Sequence, residues 1–219
     1  MSSELRTRLI TQMDLHGLAP NTQRGYLMCV KALAMYYKES PEKLTDEQIR
    51  AYFHHLLKER KLTKRSCHRY LTSLTFFYRH VCNREVNDRF GLPYWRAEKK
   101  LPVVLSIEEV TRLLSCEHNL KHRVLLKTIY SAGLRVSEAV RLQPHHIESD
   151  PSRMLIRVED AKGKKDRYTV LSKKLLKELR LYWKEYRPEK WLFPGYGHDK
   201  HLTTTAASQI FYNAKKKPV

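Results

Sequence analysis

Apolar residues recur every three or four positions through the first eighty residues, the period of a helix with one buried face. Leu5, Leu9 and Met13 mark the first stripe; Tyr26, Val30, Leu33 and Tyr37 mark the second, after a turn at Ala19-Pro20-Asn21. A third helix is predicted to open at Thr45, with Gln48 in capping-box spacing, and to continue through Ile49, Phe53, Leu56 and Leu57. A fourth carries Cys67, Leu71, Leu74, Tyr78 and Val81. The aromatic run Phe76-Phe77-Tyr78 coincides with that stripe and reads as core rather than as a platform for stacked bases.

The period is lost between Asn83 and Pro102, where a glycine, two prolines and mixed charges read as an interdomain linker. The predicted organisation is a helical domain over 1–84, a linker over 85–102 and a second domain over 103–219. Helical signals resume with a capping box at Ser106 and Glu109, followed by Val110, Leu113 and Leu114. A helix from about Lys121 to Ala132 leads into a turn at Gly133, and another carries Glu138 to Leu142. Then RMLIRVED and RYTVLS flank AKGKKD, which predicts a β-hairpin turning at Lys162-Gly163. Helices over about 173–186 and 204–216 complete a chain that is mainly α with a small β-hairpin.

Charge narrows the choice of partner. The chain of 219 residues has a formal net charge of +19. The excess is spread along it, with 19 lysines and arginines against 10 acids in residues 1–102 and 23 against 13 in 103–219. Both halves can therefore face one polyanion, and nucleic acid is the first expectation. Around ERKLTKRSCHRY the cations Arg60, Lys61, Lys64, Arg65, His68 and Arg69 crowd a predicted helix start, where the backbone also favours phosphate.

Cys29, Cys67, Cys82 and Cys116 form no C-x-x-C pair, so they read as reduced cysteines rather than as zinc ligands or a disulfide framework. The first residues, MSSELRTRLITQ, lack the apolar core of a signal peptide, and no window approaches the roughly 18 apolar residues of a membrane span. A soluble, cytoplasmic protein without membrane contact is expected. His118 with His122, and His198 with His201, read as surface or phosphate-facing histidines. Glu148, Asp150, Glu159 and Asp160 lie at no convincing ligand spacing, so neither a metal nor another cofactor is expected.

One residue resists this bulk reading. Arg135, in SAGLRVSEA, follows the Gly133 turn in an apolar setting where a buried guanidinium needs an anionic partner. Glu138 is the local candidate.

The stretch YSAGLRVSEAVRLQPHHI resembles the first arginine box of the tyrosine recombinase (phage integrase) family, and VEDAKGKKDRYTVLS is similar to its catalytic-lysine hairpin. LAPNTQRGYLMCVKALAMYY and LTKRSCHRYLTSLTFFYRHV resemble its helical core-binding domain. The resemblance implies a core-binding domain followed by an α+β catalytic domain, acting on double-stranded DNA by cleavage and rejoining through a phosphotyrosine bond. It implies that Arg135 holds the non-bridging oxygens of the attacked phosphate, that Glu138 orients Arg135, and that Lys162 protonates the departing 5′ oxygen. Lys164 and Lys165 would contact phosphate, as would Arg24, Lys64, Arg65 and Arg69 from the first domain. Family members work as tetramers on paired sites, which implies a homo-oligomer for a full-length chain.

The family pattern continues with an H-x-L-R-H box, a further histidine or tryptophan, and the nucleophilic tyrosine. No counterpart follows TTTAASQIFYNAKKKPV, so the catalytic domain is expected to be incomplete, with an apolar surface unpaired. Among thirteen tyrosines none is assigned as nucleophile. Tyr196 and Tyr212 are both declined, Tyr212 because it is expected to share a structural stripe with Ile210 and Ala214. The alternative to an active recombinase is a catalytically dead DNA-binding regulator of recombination sites. A third class, an unrelated helical transcription factor or RNA-binding module, would use the LTKRSCHRY helix as its reader.

Overall fold

The helical stripes of the first hundred residues close on one another. The computed structural model describes residues 3–86, 88–95, 101–161, 165–197 and 199–216, and the chain divides into two compact units, Met1–Leu101 and Pro102–Val219.

The first unit contains α1 (Ser3–Leu15), α2 (Pro20–Tyr37), α3 (Asp46–Lys58) and α4 (Lys64–His80). Pro20 opens α2 where its missing N–H costs nothing. Thr45 and Gln48 cap α3 reciprocally, and Thr63 caps α4. α1 packs on α2, while α2 and α3 pack on α4, burying Leu9, Leu33, Phe53, Leu74 and Phe77 completely. Tyr78 is also buried and donates its hydroxyl to the Pro41 carbonyl at 2.6 Å, so the aromatic carries its polar atom into the core already satisfied. Phe76, the third member of the aromatic run, is half-buried.

Part of the stretch expected as linker belongs to this core. Val86 is buried and Phe90 fills a place beside Tyr78, with ring centroids 5.6 Å apart. Arg50 donates to the Phe90 carbonyl at 3.2 Å and holds that segment to α3.

The second unit is built around α6 (Leu120–Ala132), which packs against α5 (Ile107–Ser115), α7 (Val136–Ala139), α8 (Lys173–Tyr186) and α9 (Thr204–Lys216). Its antiparallel sheet, ordered β1-β2-β3, comprises β1 (Ile147–Glu148), β2 (Leu155–Ala161) and β3 (Lys165–Val170). Ile156 and Val158 point inward, opposite Thr169 and Arg167, so Arg167 and Thr169 share the core-facing side although they are polar. Thr169 uses its hydroxyl on the Ala132 carbonyl at 2.8 Å, pinning β3 to the end of α6.

One expectation changes here. α7 is a single turn ending at Ala139 rather than a helix reaching Leu142. The apolar face of α5 is only half-covered: Leu113 and Leu114 touch the core, but a groove of ≈ 470 Å³ between α5 and α9 is lined by Val103, Leu105, Leu113, Cys116, Phe211 and Ala214 and rimmed by Glu109, Arg112 and Lys215.

Candidate functional site

Gly133 ends α6 in the left-handed conformation (φ +59°), which glycine adopts without steric cost. The reversal places Arg135 at the N-cap of α7, and Glu138, three residues on, turns back toward it. One Glu138 oxygen, Oε1, accepts from Arg135 Nη1 at 2.7 Å. The other, Oε2, accepts from the Arg135 backbone N–H at 2.8 Å and from Arg167 Nη2 at 2.9 Å.

The expectation of a buried arginine is thereby inverted. The Arg135 side chain is 58% exposed and the Glu138 side chain only 4%. Burial pushes the Glu138 carboxyl up, but the Arg135 N–H and guanidinium and the Arg167 guanidinium outweigh it and hold its pKa below the ordinary value. Arg135 is thus held from within while much of its guanidinium faces solvent, an arrangement suited to receiving an anion with two oxygens.

Sequence reasoning missed Arg167. On β3 the apolar residues at alternate positions, Tyr168 and Val170, are the exposed ones; alternation alone therefore assigns the wrong side inward. Lys162 and Lys164 lie outside the described residues. Lys165 is the first residue of β3 and pairs with Ala161.

In the first unit Arg24, Lys64, Arg65 and Arg69 are all exposed. Lys64 and Arg65 occupy the first turn of α4, which holds no acid. Like charge beside the positive end of a helix is unfavourable, by about 0.3–1 kcal/mol per residue, unless an anion arrives. Among the described residues none of these four cations forms a salt bridge with a carboxylate. Arg69 lies close enough to the Cys29 thiol to oppose the upward push of burial on its pKa.

The tyrosines declined as nucleophiles are both exposed. Tyr212 is not on the buried stripe: Ile210 and Ala214 are buried with Ala207, while Tyr212 is 57% exposed on the other side of α9. All four cysteines are free, Cys29 and Cys67 buried, Cys82 and Cys116 half-buried.

A histidine–carboxylate cluster that the sequence concealed forms beside β2. His145, His146 and Glu159 have potential ligand atoms within 4.8 Å of one another, yet the chemistry argues against a metal. His146 Nδ1 accepts the Gln143 N–H at 3.2 Å, so the neutral ring carries its proton on Nε2, the atom facing Glu159 at 3.4 Å. A metal on Nε2 would force the proton to Nδ1, against that N–H, and Arg157 already lies 3.2 Å from Glu159.

Comparison with known proteins agrees with this architecture. Residues 5–88 match the phage integrase N-terminal SAM-like domain, and residues 104–218 match the phage integrase family. Two integrase/recombinases of Sinorhizobium fredii, y4qK and y4eF, are 42% identical over 205 residues and 45% identical over 163. The alignments take in 94% and 74% of this chain but 66% and 64% of those proteins, so the chain spans less than two thirds of their length.

Among solved structures, a lambda integrase tetramer bound to a Holliday junction aligns with 97% of this chain and 63% of its own, with TM-score 0.74 and 15% identity. The Tn1549 transposon integrase in complex with transposon right end DNA aligns with 86% and 70%, with TM-score 0.63 and 16% identity. These likenesses show the fold, and the two family matches show the lineage. The chain belongs to the phage integrase family of tyrosine recombinases.

Proposed function

We propose that residues 1–219 are the DNA-gripping part of a site-specific recombinase, comprising a core-binding domain that extends past 84 to take in Val86 and Phe90, and an incomplete catalytic domain over 103–219. Double-stranded DNA is the partner, and Arg24, Lys64, Arg65 and Arg69 contact its phosphates. Arg135 receives the phosphate that is attacked, Glu138 orients it, and by resemblance Lys162 is the general acid, with Lys164 and Lys165 as phosphate contacts.

The observation that carries this reading is the Arg135 guanidinium, exposed to solvent yet fixed from behind by a buried carboxylate. Attack on a phosphodiester builds charge on the non-bridging oxygens, and a guanidinium already aimed at them lowers that barrier without reorganising. Two hydrogen bonds from one planar group also set the phosphate's orientation. Protein cations supply the charge, so the scheme requires no metal.

The family's second arginine box and nucleophilic tyrosine have no counterpart among these 219 residues. Residues 1–219 by themselves therefore bind DNA without cleaving it, and a homo-oligomer on paired sites is proposed for a longer chain, in line with the lambda integrase tetramer bound to a Holliday junction. The test is fluorescence anisotropy with a labelled duplex across a salt series, followed by incubation with a nicked duplex that traps covalent intermediates. Steeply salt-dependent binding without a covalent adduct is expected. A flat salt response would refute DNA binding, and an adduct would refute the assignment of no nucleophile. Preference for RNA in competition would favour a different class of nucleic-acid binder.

A further inference from the structure

We propose that Arg167 is a positioning residue, which fixes the aim of the Arg135 guanidinium through the Glu138 carboxylate that both arginines share. The inference rests on the reading of Arg135 as the group that receives the phosphate.

Glu138 Oε2 is held by two donors from separate elements, the Arg135 N–H at the start of α7 and Arg167 Nη2 on β3. Two donors on one oxygen fix the rotation of the carboxylate plane, which in turn fixes Oε1. Oε1 is the acceptor for Arg135 Nη1, and among the described residues this is the single hydrogen bond holding the Arg135 guanidinium. With Arg167 removed, the carboxylate is left to swing about the remaining backbone bond, and the long Arg135 side chain swings with it.

Arg167 is well placed to act as a reference point. Its strand is registered by the pairing of Arg167 with Val158 and of Thr169 with Ile156, and tied to α6 by the Thr169 hydroxyl. Its side chain is 36% exposed against 58% for Arg135, so it is the more enclosed of the two. β3 is also the strand that follows Lys162 in the chain. The shared carboxylate thereby links the strand after Lys162 to the turn that carries Arg135. A single lysine would not replace this link, because an ammonium is a point charge without the planar fork that aligns with a carboxylate.

The proposal separates positioning from simple charge balance. Arg167→Gln and Arg167→Lys are compared with the unaltered protein by NMR, using arginine labelled at Nε and glutamate labelled at the carboxyl carbon. The Arg135 Nε–H signal is expected to shift and to exchange faster with water in both variants. The Glu138 titration moves up toward the ordinary carboxylate range in Arg167→Gln, and less so in Arg167→Lys, which keeps the charge.

An Arg135 signal unchanged in position and exchange, in whichever variant folds, overturns the proposal even where the Glu138 titration has moved, because Arg167 would then only neutralise charge. Arg167→Lys preserves the charge on the buried carboxylate and carries the test where Arg167→Gln fails to fold. Duplex binding by the unaltered protein is measured in parallel. Its absence would defeat the reading of Arg135 as the group that receives the phosphate, whereas the NMR comparison reports on Arg167 regardless.

Discussion

The two units present their cations in opposite ways. On α4, Lys64, Arg65 and Arg69 stand exposed without carboxylate partners, the first two at a helix start whose own dipole repels them. In the second unit Arg135 and Arg167 converge on one buried carboxylate, which offsets half of their charge and steers them. Unpartnered cations gain most from a polyanion and discriminate little about where its phosphates lie. Partnered ones gain less, but hold one direction. On the proposed reading, affinity and aim fall to different halves of the chain.

Replacing Lys64, Arg65 and Arg69 together by alanine should break the comparison most visibly. Duplex affinity falls about 100-fold near 0.1 M salt, and the slope of log K against log salt becomes shallower by about 2.7, as for three lost phosphate contacts. Anisotropy titrations at several salt concentrations check both, and urea unfolding of the same protein should show no loss of stability.

Glu138→Ala should do the reverse. It leaves two partly exposed guanidinium groups facing a vacated site, and the second unit loses about 1–2 kcal/mol in urea unfolding, while duplex affinity changes far less than in the triple variant. Acid should reproduce part of this loss. The folded Glu138 pKa is depressed, so its contribution is complete above the unfolded carboxylate value and disappears as pH falls through the folded one.

His146 sharpens the contrast at milder pH. Burial lowers its pKa, assisted by His145 and Arg157 and opposed by Glu159. The neutral ring stabilises the fold fully above the unfolded value near 6.5, and the contribution is lost progressively as pH falls from there. Thermal unfolding from pH 7.5 to 5.5 should show that decline, and His146→Asn, which keeps an acceptor for the Gln143 N–H, should flatten it.

The smallest effect belongs to Thr45→Ala. It removes one side of the α3 capping box and costs about 1 kcal/mol, with duplex affinity unchanged once the protein is folded.

What the sequence discloses follows the range of the interaction. Thr45 with Gln48, and Ser106 with Glu109, are contacts across three residues and show as fixed spacings. The pairing of Arg135 with Glu138 has the same range and was legible, although which partner is buried was not. Arg167 reaches Glu138 across 29 residues, among several lysines and arginines with equal claim, so only the register of β2 and β3 singles it out. Likewise β1 is a two-residue strand with no alternation to reveal it. Val86 and Phe90 are too sparse to show a period, yet both are buried. His146 and Glu159 meet because β2 passes the turn over Pro144–His146, a meeting that no local spacing encodes.

The register shift in the hairpin works as a mechanical buffer. Pairing is regular up to Val158 with Arg167 and resumes, displaced, at Ala161 with Lys165. The irregularity lies on the tip side of Arg167, where a bulge absorbs changes in residue count without moving the ladder behind it. Insertions or deletions around the tip can therefore accumulate while Arg167 keeps its hold on Glu138. A change of length there is mechanically uncoupled from the carboxylate that Arg167 holds.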